Sequence, residues 1–161
     1  MDKKSLSVGG ALTHRLNLSD SILIKENHIQ LLGNDVKKAL ELANKNGKAQ
    51  RIEIEVKNEK EALKAAEAIH SIRSSKTFAI MFDNMDASVI KNSIIKLNRL
   101  ENNKFIKKNN NLKNKIILFG ASGGINEKNI MEYSKTRVDV LSLGILTHSA
   151  KALDISLEII D

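Results

Sequence analysis

The chain has 161 residues, 42% of them hydrophobic, and a formal charge of +7, enough apolar material for one ordinary domain with a core. It has no Cys or Trp and a single Tyr, which excludes disulfides and thiolate metal sites, points to a reducing cytoplasm and leaves little to stack on nucleic-acid bases. No apolar run approaches the roughly 18 residues of a membrane span and no signal-peptide pattern follows Met1, so neither membrane nor nucleic acid is an expected partner.

Short apolar strands and helical patterns alternate along the chain. The first strand covers 21–25, where Ile22, Leu23 and Ile24 end in Lys25. A helix over 35–46 follows, with Val36, Ala39, Leu40 and Ala43 at i, i+3, i+4 and i+7. The strand 51–56 leads to a helix over 58–75, and the strand 77–82 to a helix over 86–100. LENNKFIKKNNNLKNKI, residues 100–116, carries much of the excess positive charge and reads as a solvated connector. Strands over 115–119 and 138–143 and helices over 126–135 and 150–159 complete the pattern.

This alternation predicts a parallel sheet with helical crossovers. Polar residues and glycines gather just after the strands: Lys25 and Asn27, Asp83 and Asn84, Ser122 with Gly123 and Gly124, then Gly144. Functional groups at the carboxyl ends of successive strands are the pattern of a barrel top, whereas a doubly wound sheet concentrates them at one switch point. Five strands do not close an eight-stranded barrel, so the expectation is part of one: a partial (β/α) TIM-like barrel forming a single domain over 1–161.

Three clusters carry possible chemistry. FGASGGINEKNI, residues 119–130, is a strand end, a Ser-Gly-Gly turn and a helix start, where the backbone can approach a phosphate and free amides can hold it; a pair of ordinary tight turns is the plainer alternative. RIEIEV puts Glu53 and Glu55 on one strand face, which either borders solvent or lines a polar site, and taken alone favours a solvated edge. Asp83 ends an apolar strand, where a carboxylate needs a partner. Two carboxylates at strand ends suit a ribose, a magnesium-bound diphosphate, or positive charge developing on a sugar. His14, Arg15 and Lys25 supply cations suited to a carboxylate or phosphate. His70 sits in a helical pattern and reads as structural, while His28 and His148 follow strand ends and suit loop-holding roles equally well.

GGALTHRLNLSDSILIKENHI, IEIEV, IMFDNM, ASGGINEKNIMEY and VDVLSLGILTHSAKALDISL, in that order, resemble quinolinate phosphoribosyltransferase, the carboxylating nicotinate-nucleotide pyrophosphorylase family. The resemblance implies that quinolinate attacks the anomeric carbon of phosphoribosyl pyrophosphate, diphosphate leaves, and loss of CO2 gives nicotinate mononucleotide for NAD synthesis. It implies that His14, Arg15 and Lys25 bind the two carboxylates of quinolinate. Glu55 and Asp83 then sit by the ribose hydroxyls and Mg2+, and Ser122, Gly123, Gly124 and Gly144 cradle the phosphate. Lys25, Glu55 and Asp83 are the expected catalytic groups. Against the family pattern, the Thr-Arg-Lys-Thr stretch and the N-terminal domain have no counterpart, and Gly120 stands where a Glu is usual. The expected partner is therefore a second copy or a complementing N-terminal polypeptide. The other readings are a related phosphoribosyltransferase with another acceptor, and a non-catalytic phosphate-binding half barrel.

Overall fold

A computed structural model describes residues 2–12, 21–105, 117–148 and 155–157. In chain order the elements are α1 (Asp2–Val8), β1 (Ser21–Ile24), α2 (Glu26–Leu31), α3 (Val36–Lys45), β2 (Arg51–Val56), α4 (Glu59–Ser71), β3 (Thr77–Asp83), α5 (Ala87–Phe105), β4 (Ile117–Ser122), α6 (Ile130–Tyr133), β5 (Val140–Leu141) and α7 (Ile145–His148). A 3-10 turn, Ser134–Thr136, follows α6.

The five strands form one sheet in the order β1-β2-β3-β4-β5, every neighbouring pair parallel. Each crossover therefore steps one strand over in the same direction. Right-handed crossovers that never reverse put their helices on one face, and α3 packs on α4 and α4 on α5 along that face. A doubly wound sheet has a reversal and helices on both sides. This one is an arc of a (β/α) barrel.

The strand register sorts the side chains. Toward the helices point the rows Ile22, Ile52, Phe78, Ile117 and Ile24, Ile54, Ile80, Phe119, then Val56, Phe82, Ala121, Leu141. Ile52, Phe78, Ile80 and Phe82 are completely enclosed, and the Phe82 and Phe119 rings stack at 6.3 Å. From the helices come Leu40 of α3, Ala62, Ala65, Ala66 and Ile69 of α4, and Ile90, Ile94 and Leu97 of α5. The alanine stripe lets α4 lie close to the sheet. Each large aliphatic or aromatic side chain buried here contributes about 1.5–3 kcal/mol.

Local chemistry starts the helices where the pattern predicts. The Asp35 carboxylate accepts the Lys38 amide at 2.9 Å at the head of α3, and Asn58 Oδ1 accepts the Glu61 amide at 2.9 Å at the head of α4. Glu61 reaches back to the Lys57 amide at 2.8 Å, so two otherwise orphan donors are satisfied together.

Some expectations differ from the structure. Both α1 and α2 were not anticipated, being only seven and six residues long, too short to show a clear period. The helix expected over 126–135 is a turn at 126–129 followed by the four-residue α6 and the 3-10 turn. The helix expected over 150–159 falls mostly outside the described residues, and 155–157 is not helical. The solvated-edge reading of β2 also fails: β2 lies between β1 and β3 and Glu53 is only 4% exposed. No described helix is long and apolar enough to cross a membrane.

Candidate functional site

The sheet face away from the helices carries a different set of residues. Its rows are Leu23, Glu53, Ala79, Leu118, then Glu55, Met81, Gly120, Val140, then Asp83 beside Ser122 at the carboxyl rim. Alternation along each strand separates these side chains from the core. The same alternation that buries Ile54 and Val56 turns Glu53 and Glu55 to this face. At Gly120 a Cβ would lie 2.7 Å from the Met81 methyl and 2.8 Å from its sulfur, so the thioether fills the space that a side chain at this position would take.

At the β1–β2 rim the groups are held by charge. Lys25, the residue after β1, places Nζ 3.1 Å from Glu55 Oε1. Its neighbour Glu26 forms an ion pair with Lys57, just past β2. Two adjacent residues thus reach two strand-end residues with opposite polarity. The Lys57 ammonium, by hydrogen bond and by charge, holds the Glu26 carboxyl below its ordinary range. Glu26 in turn raises the Lys57 ammonium, with Glu61 and Asp83 adding smaller attractions. His28 closes the corner: its Nδ1 accepts the Lys25 amide at 2.9 Å, which gives it the loop-holding role. A cavity of about 220 Å³ opens beside Glu55 and Lys57. Its floor includes Ile54 and Val56, so it reaches behind the rim toward the helix side.

At the β3–β4 rim the groups are held by hydrogen bonds. Ser122 Oγ donates to Asp83 Oδ1 at 2.9 Å, and the Asn84 amide donates to the Ser122 carbonyl at 3.0 Å. The turn beyond has positive φ at Gly123 (82°) and Gly124 (65°), a region open to glycine without steric cost. Asn126 Nδ2 and Asn129 Nδ2 both donate to the Gly124 carbonyl at 3.0 Å. That carbonyl is pinned, while the Gly123 and Gly124 amides donate to no backbone carbonyl among the described residues. Behind the turn, Tyr133 Oη donates to the Met85 carbonyl at 3.0 Å. Burial, then the charges of Asp86 and Glu132, push the phenol pKa up, so it remains a donor.

β5 is tied alongside through the Asp139 amide to the Phe119 carbonyl at 2.7 Å and the Ser142 amide to the Ala121 carbonyl at 2.9 Å. Gly144 follows β5 after a short connection, its carbonyl accepting the Thr147 amide at 3.0 Å.

The structure thus brings Lys25 to Glu55 and Asp83 to Ser122 on one rim, with Gly123 and Gly124 directly after Ser122 and Gly144 beyond the end of β5. His14 and Arg15 lie outside the described residues, as does the His148 side chain. His70 lies in the last turn of α4, partly buried. No group of three or more His, Cys, Asp or Glu that could hold a metal occurs among the described residues. Glu55 and Asp83 are carboxylates at the ends of neighbouring strands, and Mg2+ can be bound through one or two carboxylates with water and phosphate oxygens filling its shell. Sequence reasoning missed Lys57 and the part played by Asn84. Asn following a strand end, a residue that tolerates positive φ, was the available signal for the second.

A family model described as quinolinate phosphoribosyl transferase, C-terminal domain, matches residues 1–158. The chain is 38% identical over 161 residues to a probable nicotinate-nucleotide pyrophosphorylase [carboxylating] of Methanocaldococcus jannaschii, covering 99% of this chain and 50% of that protein. It is 31% identical to the nicotinate-nucleotide pyrophosphorylase [carboxylating] of Rattus norvegicus, covering 99% of this chain and 46% of that one. The crystal structure of NadC from Streptococcus pyogenes superimposes with a TM-score of 0.74 at 31% identity, over 98% of this chain and 47% of that one. The chain spans about half the length of the curated relatives it matches. With a family model matched over nearly its whole length and relatives 38% and 31% identical across it, the chain belongs to the quinolinate phosphoribosyl transferase family, in its C-terminal domain.

Proposed function

We propose that this chain carries the phosphoribosyl-transfer site of a quinolinate phosphoribosyltransferase, converting quinolinate and phosphoribosyl pyrophosphate to nicotinate mononucleotide, diphosphate and CO2. The observation that carries the reading is the rim itself: a cation on a carboxylate at 3.1 Å, next to a carboxylate hydrogen-bonded to a glycine-turn serine at 2.9 Å. Lys25 binds a carboxylate of the pyridine, joined by His14 and Arg15. The 5-phosphate lies on the amides of Gly123 and Gly124 beside Ser122 and Gly144, where close approach is unhindered. Asp83 accepts from ribose hydroxyls, and Glu55 faces the anomeric carbon.

As the pyridine nitrogen bonds to that carbon, the bond to diphosphate breaks and positive charge builds on the sugar. Glu55, once Lys25 has moved to the substrate, and Asp83 stabilise it as negative charges already in place when the bond breaks. Mg2+, arriving on phosphoribosyl pyrophosphate and held by Glu55 and Asp83, would supply neutralisation of the leaving diphosphate. The carbon–carbon bond to the adjacent carboxylate then breaks, CO2 departs, and the ring carbon that keeps the electron pair takes up a proton. Cations around the ring, Lys25 among them, favour that carbanion. Lys25 changes partner during the cycle, from Glu55 to substrate.

The site works in an assembly with a second copy or a complementing N-terminal polypeptide, consistent with Val8, Leu12 and Leu31 being more than 80% exposed, apolar surface that association would cover. The test is release of labelled CO2 from carboxyl-labelled quinolinate with phosphoribosyl pyrophosphate, by the chain alone and with the remaining half of a relative supplied. CO2 release requiring both substrates supports the reading. Phosphoribosyl transfer to another pyridine or amine, with quinolinate inert, overturns it.

A further inference from the structure

Asn84 has no part in the chemistry above, yet three features converge on it. Its backbone sits at φ 52°, a left-handed conformation uncommon for residues other than glycine and most tolerated by Asn and Asp. Its amide donates to the Ser122 carbonyl at 3.0 Å, extending the β3–β4 pairing one step beyond Asp83 and Ser122. Its side chain bridges two site elements: Nδ2 lies 3.4 Å from Asp83 Oδ2, and its other side abuts Gly123. A Cβ on Gly123 would stand 2.8 Å from the Asn84 backbone nitrogen and closer still to the side-chain amide. The two residues are packed to the limit that glycine allows.

We propose that Asn84 is a positioning residue: it holds the Asp83 carboxylate and the 122–124 turn in one register, so that a phosphorylated ribose is gripped at sugar and phosphate together. This rests on the function proposed above. Asp83 has one oxygen held by Ser122 Oγ and the other faced by Asn84 Nδ2, which orients the carboxylate along the rim. The turn is pinned from one side by Asn126 and Asn129 and from the other by Asn84. Without the Asn84 side chain the turn keeps its own clamps and Asp83 keeps Ser122. The second carboxylate oxygen loses its restraint and Gly123 its packing partner, so the carboxylate is free to rotate relative to the Gly123 and Gly124 amides. A ligand touching only the turn is then indifferent to the change. One that spans both ends loses the advantage of its second contact.

The experiment compares two ligands on the full chain by calorimetry or NMR titration: orthophosphate, which spans only the turn, and ribose 5-phosphate, which spans turn and carboxylate. Asn84→Gly keeps the backbone conformation and the amide to Ser122 while deleting the side chain. Asn84→Ala removes the side-chain amide without adding charge beside the turn. Each variant is expected to leave the orthophosphate Kd within about twofold while the ribose 5-phosphate Kd rises about tenfold, the scale of one lost contact in a two-point grip. Should both ligands weaken equally, or neither change in either variant, Asn84 is a turn residue only and the inference fails while the phosphoribose site stands. A wild-type chain that binds ribose 5-phosphate no better than orthophosphate overturns the two-point grip itself.

Discussion

The two halves of the rim are built from different materials. Between β1 and β2, long side chains hold one another by charge: Lys25 to Glu55 and Glu26 to Lys57, with both lysines more than half exposed. Between β3 and β4, short side chains and backbone groups do the holding, through Ser122 to Asp83, Asn84 to Ser122 and two asparagines on the Gly124 carbonyl. Exposed ion pairs contribute little and exchange partners readily. A hydrogen-bonded turn packed against a neighbouring backbone does neither. The difference assigns the labour: the rigid half suits an invariant group such as a phosphate, and the exchangeable half suits an acceptor that must displace an internal counter-ion to bind.

The largest effect should come from breaking the rigid half. Gly123→Val places a β-branched side chain at φ 82° and into the Asn84 backbone; neither is tolerated. Saturable ribose 5-phosphate binding should vanish in a titration calorimeter while the far-ultraviolet dichroism remains native. Next, Asp83→Ala removes a charged acceptor at the sugar end. Ribose 5-phosphate should weaken by about 1.5–3 kcal/mol, the range for a hydrogen bond to a charged group, with orthophosphate little altered. In the exchangeable half, Lys25→Ala in an active assembly should raise the quinolinate KM by a comparable factor at most, because the lost contact is offset by no longer breaking the pair with Glu55. The phosphoribosyl pyrophosphate KM should hold, and a rise in that value instead would undo the division.

The smallest effect belongs to Glu26→Gln. Glu26 is held below its ordinary 4.5 by Lys57, so the pair's contribution is complete above that pH and disappears as pH falls through the lowered folded value. Lys57 is raised above 10.5 by Glu26, so on the alkaline side the contribution persists up to that value and fades as pH rises through the raised one. Thermal midpoints of wild type and Glu26→Gln should therefore differ slightly and evenly across neutral pH, and converge in acid. A large gap at neutral pH would mean the ionic half is stiffer than an exposed pair such as Glu26–Lys57 allows.

How much of this the chain discloses follows the same division. Strand alternation is a local property, so Glu53 and Glu55 could be put on one face from RIEIEV alone, and β2 was located to the residue. That β2 is an inner strand depends on β1 and β3 pairing with it from 30 and 26 residues away by register, which no local pattern encodes. The Ser-Gly-Gly turn is legible because two adjacent glycines after a strand permit the positive φ of a tight turn. The sequence places Asn84 at a strand end but shows no task for it, since its contact with Gly123 spans two strand ends distant in sequence. The Glu26–Lys57 pair is in the same position, and α2, which carries Glu26, is too short to leave a period. The resemblance supplied roles for Lys25, Glu55 and Asp83 that the geometry then brought onto one rim.

The measurement that bears most directly on this division is a crystal structure of the chain with ribose 5-phosphate. The account predicts phosphate oxygens within hydrogen-bonding distance of the Gly123 and Gly124 amides, a ribose hydroxyl on Asp83, and the Lys25–Glu55 pair still closed. A phosphate seated instead on Lys25 and Lys57, with the 122–124 turn empty, would contradict it.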